Sequence, residues 1–343
     1  MPENKHSAGD LKQMQSVPLA GKILMTKRRI REWYEHWDGN VYVSFSGGKD
    51  STVLKHIVDS MYDDVPAVFV NTGLEYPEIQ HFVREVKAGK YSCFNSDVEI
   101  LRPEMRFDEV IHKYGYPVAS KEVAGYIREA KHSKSEKLRN MRIARLRGEY
   151  LRSDGKLSEY NCPKWGFLLD APFEVSDKCC DVMKKHPINK YAKGTGRKGI
   201  IGTMASESRF RRQSWIRYGC NMFDGKQFSR PLSFWTEQDI LHYIKKFNVP
   251  YCPVYGEIKV DDKPEFEGQV NMIDYLGCYE PEDRLKTTGC NRTGCMFCMF
   301  GCHLEKEPNR FQRMKVTHPK QYAYCMDKLG LKEVLEYIGV PYE

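Results

Sequence analysis

The run Val41-Tyr42-Val43-Ser44-Phe45-Ser46-Gly47-Gly48-Lys49-Asp50-Ser51 decides the fold. Its first five residues are mostly β-branched or aromatic, the signature of a short buried strand. Beyond the glycines, Val53, Leu54, Ile57, Val58 and Met61 fall at i, i+1, i+4, i+5 and i+8, one face of a helix. Strand, glycine turn and helix therefore follow one another without a spacer. A turn between a strand's carboxyl end and a helix N-terminus presents unpaired amides and the positive end of the helix dipole, which together bind phosphate. Ser46, Gly47, Gly48 and Ser51 let the backbone wrap closely and add hydroxyls, Lys49 adds charge, and Asp50 either caps the helix or meets a magnesium ion.

Outward from this turn the alternation repeats. Ala67-Val68-Phe69-Val70 reads as a second buried strand ending at Asn71-Thr72-Gly73, followed by a helix near Glu78 to Val86, a strand Val98 to Leu101, and a later strand Gly199 to Thr203. Such alternation predicts an α/β fold with a mostly parallel, doubly wound sheet covered on both faces. In open α/β sheets ligands bind beyond the carboxyl ends of the strands, so the glycine turn, Asn71 to Gly73 and the segment Ser206 to Arg212 are expected to converge on one nucleotide. Gly194-Thr195-Gly196-Arg197-Lys198-Gly199 matches Gly-x-Gly-x-x-Gly but precedes a strand instead of following one, so it is not a dinucleotide fingerprint. The Ser46 to Ser51 turn also lacks Walker A spacing.

The remaining segments set the organisation. Residues 1–40 form a basic N-terminal extension with a helix from Lys22 to His36, residues 41–250 the nucleotide-binding domain, and residues 251–343 a Cys-rich and helical C-terminal region in which 251–288 is loop-like. Thr236 is placed to cap a helix running through Tyr243, and two helical segments, Pro319 to Leu329 and Leu331 to Ile338, close the chain. A basic helical insertion, Arg128 to Arg152, carries nine Lys and Arg against three Asp and Glu, net +6, within a chain of 343 residues and net charge +8. It is read either as a contact to a nucleic-acid backbone or as a solvated face, since it lacks aromatics until Tyr150.

With 41% hydrophobic and 29% charged residues the chain is globular in composition. It contains no apolar run near the ~20 residues of a membrane helix and no signal-peptide pattern at its start, so no membrane partner and a cytoplasmic location are expected. Twelve cysteines in such a setting point to metal ligands before disulfides. Cys290, Cys295, Cys298 and Cys302 are spaced closely enough to ligate one cluster or one zinc ion, and Met296, Phe297, Met299 and Phe300 supply an apolar sheath suited to an iron–sulfur cluster. Cys93, Cys220, Cys252, Cys278 and Cys325 read as ordinary small residues.

Ser46-Gly47-Gly48-Lys49-Asp50-Ser51 after a buried first strand resembles the pyrophosphate loop of the ATP pyrophosphatase (PP-loop, adenine nucleotide alpha hydrolase-like) superfamily. Val70 to Glu78, the pair Cys179-Cys180 followed by Lys184 and Pro187, and Gly202-Thr203-Met204-Ala205 with Ser206-Glu207-Ser208-Arg209 are similar to the phosphoadenosine-phosphosulfate (PAPS) reductase family. The likeness runs over roughly residues 41 to 303. It implies adenosine beside Asn71, Thr72 and Gly73. Ser206, Glu207, Ser208, Arg211 and Arg212 are expected around phosphate or sulfate, with Lys49, Asp50 and Arg209 in catalytic roles. It also implies a [4Fe–4S] cluster on Cys179, Cys180, Cys295 and Cys298, a ligand set that differs from the local one by replacing Cys290 and Cys302. Sulfonucleotide reductases of this family carry a tail cysteine in Glu-Cys-Gly-Leu-His, whereas here the tail reads Leu335 to Glu343 and its nearest cysteine is Cys325. Lys49 is what ATP-splitting relatives, such as the small subunit of ATP sulfurylase, use for the leaving pyrophosphate. The resemblance therefore implies cleavage of Mg2+–ATP to adenylylate an acceptor for sulfur transfer, as in the iron–sulfur enzymes of DNA phosphorothioation and the tRNA thiolases, with a sulfur donor such as a cysteine desulfurase. Its rivals are a reductase of adenylylsulfate or PAPS and a nucleotide-sensing or nucleic-acid-binding regulator without turnover.

Overall fold

The computed structural model describes residues 4–261 and 283–343; Cys278 lies outside them. The chain divides into two compact units, each built from three stretches: Met1–Phe69, Tyr76–Leu101 and Tyr191–Thr293 in the first, Val70–Glu75, Arg102–Lys190 and Gly294–Glu343 in the second. The units interleave along the sequence.

Among the described residues the first unit's sheet has six strands, ordered Val98–Leu101, Ala67–Val70, Val41–Ser44, Lys198–Ile201, Phe228–Ser229, Asn221–Met222. Val41–Ser44 runs parallel to both neighbours, with Val43 opposite Ala67 and Ile200. Lys198–Ile201 is parallel to Phe228–Ser229, and the short pair Asn221–Met222 with Phe228–Ser229 is antiparallel. Val41, Val43 and Ile200 are fully buried, as strands sandwiched between helix layers must be. The helix Lys49–Asp59 buries Val53, Leu54, Ile57 and Val58, and Pro77–Lys87 buries Ile79, Phe82, Val83 and Val86, so the apolar spacing of the sequence becomes the core.

The N-terminal helix Leu19–His36 packs Ile30 and Trp33 into the same core. It is pinned by a buried ion pair, Lys22 Nζ to Asp239 Oδ2 at 2.7 Å, and by Trp235 Nε1 donating to Thr26 Oγ1 at 2.9 Å. Asp239 also closes a capping box with Thr236 at the start of Glu237–Phe247, the helix start expected at Thr236.

The second unit is mainly helical. Its basic insertion is two helices, Lys121–His132 and Glu136–Arg147, in place of one helical run. The break falls at Ser133 to Ser135, where Ser135 Oγ accepts the Leu138 amide and caps the second helix. A parallel two-stranded ladder joins Val118–Ala119 to Met299–Phe300.

Two further elements escaped the sequence pattern. Within the stretch read as loop, Ile258–Val260 pairs antiparallel with Leu285–Thr287, and Arg310–Thr317 is a helix capped by Asn309. Among the described residues no helix is long and apolar enough to cross a membrane.

Candidate active site and thiol cluster

The strand order reverses between Val41–Ser44 and Lys198–Ile201: the chain winds outward one way from the first strand and the other way from the second. Both neighbouring strands end at this switch point, so the loops that follow them, Phe45 to Gly48 and Gly202 to Ser208, border one crevice. The two loops touch. A Cβ on Gly202 would lie 3.1 Å from Asp50 O and 3.2 Å from Ser51 Cα, so a larger residue would push the two backbones apart by a few tenths of an ångström. Gly47 has φ of +71°, and a Cβ there would meet Ile79 and Val83 at 2.9 Å.

Inside the turn, Ser51 Oγ accepts the Ser46 amide at 3.1 Å and donates to Gly48 O at 2.9 Å, and Thr52 Oγ1 donates to the same carbonyl at 3.0 Å. Gly48 is the cap residue of Lys49–Asp59 and has no side chain with which to accept its orphan amides. The Lys49 amide is instead taken by Tyr255 Oη at 3.2 Å. Lys49 Nζ donates to Asn291 O and pairs with Glu237 Oε1 at 2.8 Å.

A cavity of about 260 Å³ opens here, lined by Lys49, Asp50, Met204, Ser206, Glu207, Glu237 and Arg292. Glu207 organises its far side: its carboxylate accepts the Met204 amide at 2.7 Å, pairs with Arg292 Nη2 at 3.1 Å and pairs with Arg211. Desolvation, and then the charge of Arg292, hold Arg211 below the usual guanidinium range, so two cations stand close enough to oppose each other. Asp50 Oδ1 is buried with no hydrogen-bond partner among the described residues. Burial pushes the Asp50 carboxyl up, against the opposing pull of Lys49, Arg292 and Arg211.

Of the residues expected at this site, Ser46 to Ser51, Ser206, Glu207 and Arg211 gather around the crevice. Ser208 caps the helix Arg209–Tyr218, accepting the Arg211 amide at 3.2 Å, while Arg209 and Arg212 are exposed on that helix. Asn71, Thr72 and Gly73 belong to the second unit. There Asn71 Oδ1 accepts the Gly73 amide at 3.0 Å and Thr72 bonds Glu75 through both its amide and its hydroxyl. Tyr255, Glu237, Asn291 and Arg292 were not singled out by the sequence. Arg292 sits beside Cys290, where the cysteine spacing drew the reading away from the arginine.

Cys179, Cys180, Cys295 and Cys298 all lie in the second unit. Burial pushes the Cys179 thiol up, and Cys180, Cys295 and Cys298 raise it further. Burial likewise lifts Cys295 to about 11 and raises Cys298. Lys184 reaches this group: its amine lies 3.3 Å from Glu75 Oε1 and bonds Cys295. Burial disfavours that charge, but Cys295 and Glu75 outweigh it and hold Lys184 protonated above the usual lysine range.

Met296, Phe297 and Met299 are buried around the loop, the Met296 amide donates to Leu74 O at 2.8 Å, and Arg310 Nη1 donates to Cys298 O at 2.8 Å. Among the described residues no group of three or more His, Cys, Asp or Glu side chains is placed to hold a metal ion. Of the two other local candidates, Cys302 is buried and donates to Met299 O at 3.0 Å; burial raises it to about 11, and it lies near enough to Cys298 for that thiol to raise it further. Cys290 is not in this unit; it belongs to the first and acts on Cys252. Cys220, Cys252 and Cys325 are buried thiols and Cys93 is exposed.

Residues 40–299 match the phosphoadenosine phosphosulfate reductase domain. The chain belongs to that family. Members of the PAPS reductase family are enzymes, and the family is part of the PP-loop superfamily. A relative described as an uncharacterized protein of Methanocaldococcus jannaschii is 34% identical over 91 residues, 26% of this chain; the match spans about a fifth (21%) of that relative's length. The crystal structure of phosphoadenylyl-sulfate (PAPS) reductase from Candida auris, in its phosphate complex, aligns with a TM-score of 0.37 at 15% identity, covering 81% of this chain and 95% of the other.

In this family member the basic insertion uses much of its charge internally. Arg128 pairs with Asp177 at 2.7 Å, Arg142 with Glu129 at 2.7 Å, and Arg139 donates to Ser133 O. Arg145 donates to Tyr126 Oη at 2.8 Å and lies 4.9 to 5.5 Å from the rings of Tyr126, Tyr150 and Tyr160. Lys134, Lys137 and Arg147 remain exposed.

Proposed function

We propose that this PAPS reductase family member binds Mg2+–ATP at the glycine turn and cleaves it between the α and β phosphates, adenylylating an acceptor that then receives sulfur. The observation that carries this reading is Lys49, which lines the crevice at the N-terminus of its own helix, where Gly48 offers no side-chain cap. Negative charge grows on the leaving pyrophosphate as the α–β bond breaks. Amides of the turn and the Lys49 amine are then worth more than in the ground state. Asp50 fits a magnesium-bearing substrate, because its buried Oδ1 has no partner among the described residues and a divalent cation would stabilise its ionised form. Arg211 and Arg292, held by Glu207, would grip a second anionic group of the nucleotide in forked geometry.

Cys179, Cys180, Cys295 and Cys298 fit an iron–sulfur cluster by their donor chemistry: four thiols in one unit with an apolar sheath. Such a cluster, when bound, supplies a place to hold and hand on sulfur. Lys184 would offset thiolate charge there, and Arg310 holds the loop through Cys298 O. Zinc on the same thiols is the alternative metal. A nucleic-acid acceptor would meet Lys134, Lys137 and Arg147, and a cysteine desulfurase is a suitable sulfur donor.

A sulfonucleotide reductase is the second reading, because Arg211 and Arg292 would hold a sulfate as readily as a phosphate. Anaerobically purified full chain incubated in parallel with ATP, adenylylsulfate and PAPS separates the readings. Pyrophosphate release from ATP is expected. Sulfite without pyrophosphate overturns the proposal in favour of the reductase, and tight ATP binding with no product favours a regulator.

A further inference from the structure

The hydroxyls of Tyr255 and Thr293 stand over the glycine turn, where no catalytic scheme so far uses them. Tyr255 Oη accepts the Lys49 amide at 3.2 Å and is hydrogen-bonded to Thr293 Oγ1 at 2.6 Å. A Cβ on Gly48 would lie 3.2 Å from Tyr255 Oη and 3.4 Å from Thr293 Oγ1, so both oxygens cover the open face of the turn. Tyr255 is otherwise buried, with the Lys49 ammonium 5.2 Å from its ring centroid.

Its position is built rather than incidental. The segment Val254 to Glu257 is laced to Thr288 to Cys290 by backbone bonds: the Gly289 amide to Tyr255 O at 2.8 Å, the Cys290 amide to Val254 O at 3.0 Å and the Thr288 amide to Glu257 O at 3.0 Å. A Cβ on Gly289 would strike Val254 O at 2.4 Å, so this crossing needs glycine. The same strap carries Asn291, which holds Lys49 Nζ, and Thr293.

We propose that Tyr255 and Thr293 are phosphate-binding residues, a hydroxyl pair that completes the anion site of the glycine turn. This rests on the nucleotide reading above. A phenol is both acceptor and donor. Without an anion its oxygen satisfies the helix amide at Lys49. When a phosphate oxygen takes that amide, the Tyr255 O–H donates to the phosphate, and Thr293 donates in turn to Tyr255. Burial keeps the phenol neutral, which preserves the proton it must donate.

The probe is inorganic pyrophosphate, titrated by calorimetry against the full chain, with adenosine titrated alongside. Tyr255→Phe keeps the ring and removes the hydroxyl, and is expected to weaken pyrophosphate about tenfold or more, the usual cost of losing a hydrogen bond to a charged group, while adenosine affinity is unchanged. Thr293→Val is expected to weaken pyrophosphate to a lesser degree, and Thr293→Ser to restore it. Tyr255→Phe binding pyrophosphate as tightly as wild type, or more tightly, overturns the proposal, because the hydroxyl would then only occupy the site. Loss of adenosine and pyrophosphate together points to a collapsed strap and also overturns it. A wild type that binds neither pyrophosphate nor ATP overturns the nucleotide reading and this proposal with it, whereas a wild type that binds with an unaltered Tyr255→Phe sinks this proposal alone.

Discussion

Lys49 Nζ sits 2.8 Å from Glu237 Oε1, a buried ammonium paired with a carboxylate that is half exposed at the start of the helix Glu237–Phe247. The carboxylate competes with any phosphate for the same cation. Glu237→Gln is therefore expected to tighten pyrophosphate binding several-fold at low salt, and Lys49→Ala to lower kcat/KM for ATP by about 100-fold or more, the scale of losing one preorganised group on developing charge. Circular dichroism on both variants checks that the fold is kept. A Lys49→Ala enzyme with unchanged pyrophosphate release would remove lysine from the mechanism.

Glu207 joins the Met204 amide, Arg211 and Arg292. Glu207→Gln keeps the shape but loses the charge that holds two opposed guanidinium groups together. Nucleotide affinity is expected to fall about tenfold, with a stability loss of roughly 1–2 kcal/mol for a partly buried charged network. Arg292→Ala should reproduce the affinity loss without the stability loss, which thermal melting beside a binding titration will read.

Asp50 predicts a pH signature. Its carboxyl is raised in the folded state, chiefly by burial, so the folded chain holds that proton more tightly than the unfolded one. The ionised carboxylate thus costs stability above the unfolded carboxylate range, and the cost is relieved as pH falls through the folded value. Asp50→Asn is expected to raise the melting temperature at neutral pH and to flatten this part of the profile while abolishing magnesium-dependent turnover. Melting curves from mildly acidic to neutral pH measure it, and an unchanged profile would show that Asp50 titrates normally.

Iron content distinguishes the two thiol sets. Single Cys→Ser changes at Cys179, Cys180, Cys295 and Cys298 are expected to strip iron and visible absorbance from anaerobic protein, while Cys290→Ser and Cys302→Ser retain both. Iron lost from Cys290→Ser but kept in Cys179→Ser would select the local set. Colourless wild-type protein with stoichiometric zinc would refute the cluster.

If the helical hairpin meets nucleic acid, charge reversal at its exposed cations carries the effect. The triple change Lys134→Glu, Lys137→Glu, Arg147→Glu is expected to reduce the salt dependence of binding by about three phosphate contacts. Arg145→Lys, by contrast, should mainly lower stability, because Arg145 is enclosed by Tyr126, Tyr150 and Tyr160. Fluorescence anisotropy on a single-stranded oligonucleotide at several salt concentrations decides between them.

The parallel sheet, the glycine turn and the helix starting at Thr236 were legible because each is a local pattern: β-branched runs, a glycine break, an apolar period, a capping residue. The break of the basic segment at Ser133 to Ser135 was equally local, a serine cap overlooked within a run of charge. What local pattern cannot reach is pairing across hundreds of positions. Tyr255, Asn291 and Thr293 meet Lys49 or its neighbours from more than 200 residues away, and nothing in their own neighbourhood marks them.

The sequence by itself determined the fold class and the position of the glycine turn between strand and helix, since strand, glycine and helix propensities act over a few residues. Only the tertiary structure decided which side chains close the site and which charges are consumed. Gly202 brings two loops into contact, Glu207 collects Arg211 and Arg292, and most hairpin arginines are held by Asp177, Glu129 and the tyrosines. A charge has a function only after its partners are known, and those partners are set by packing, not by spacing along the chain.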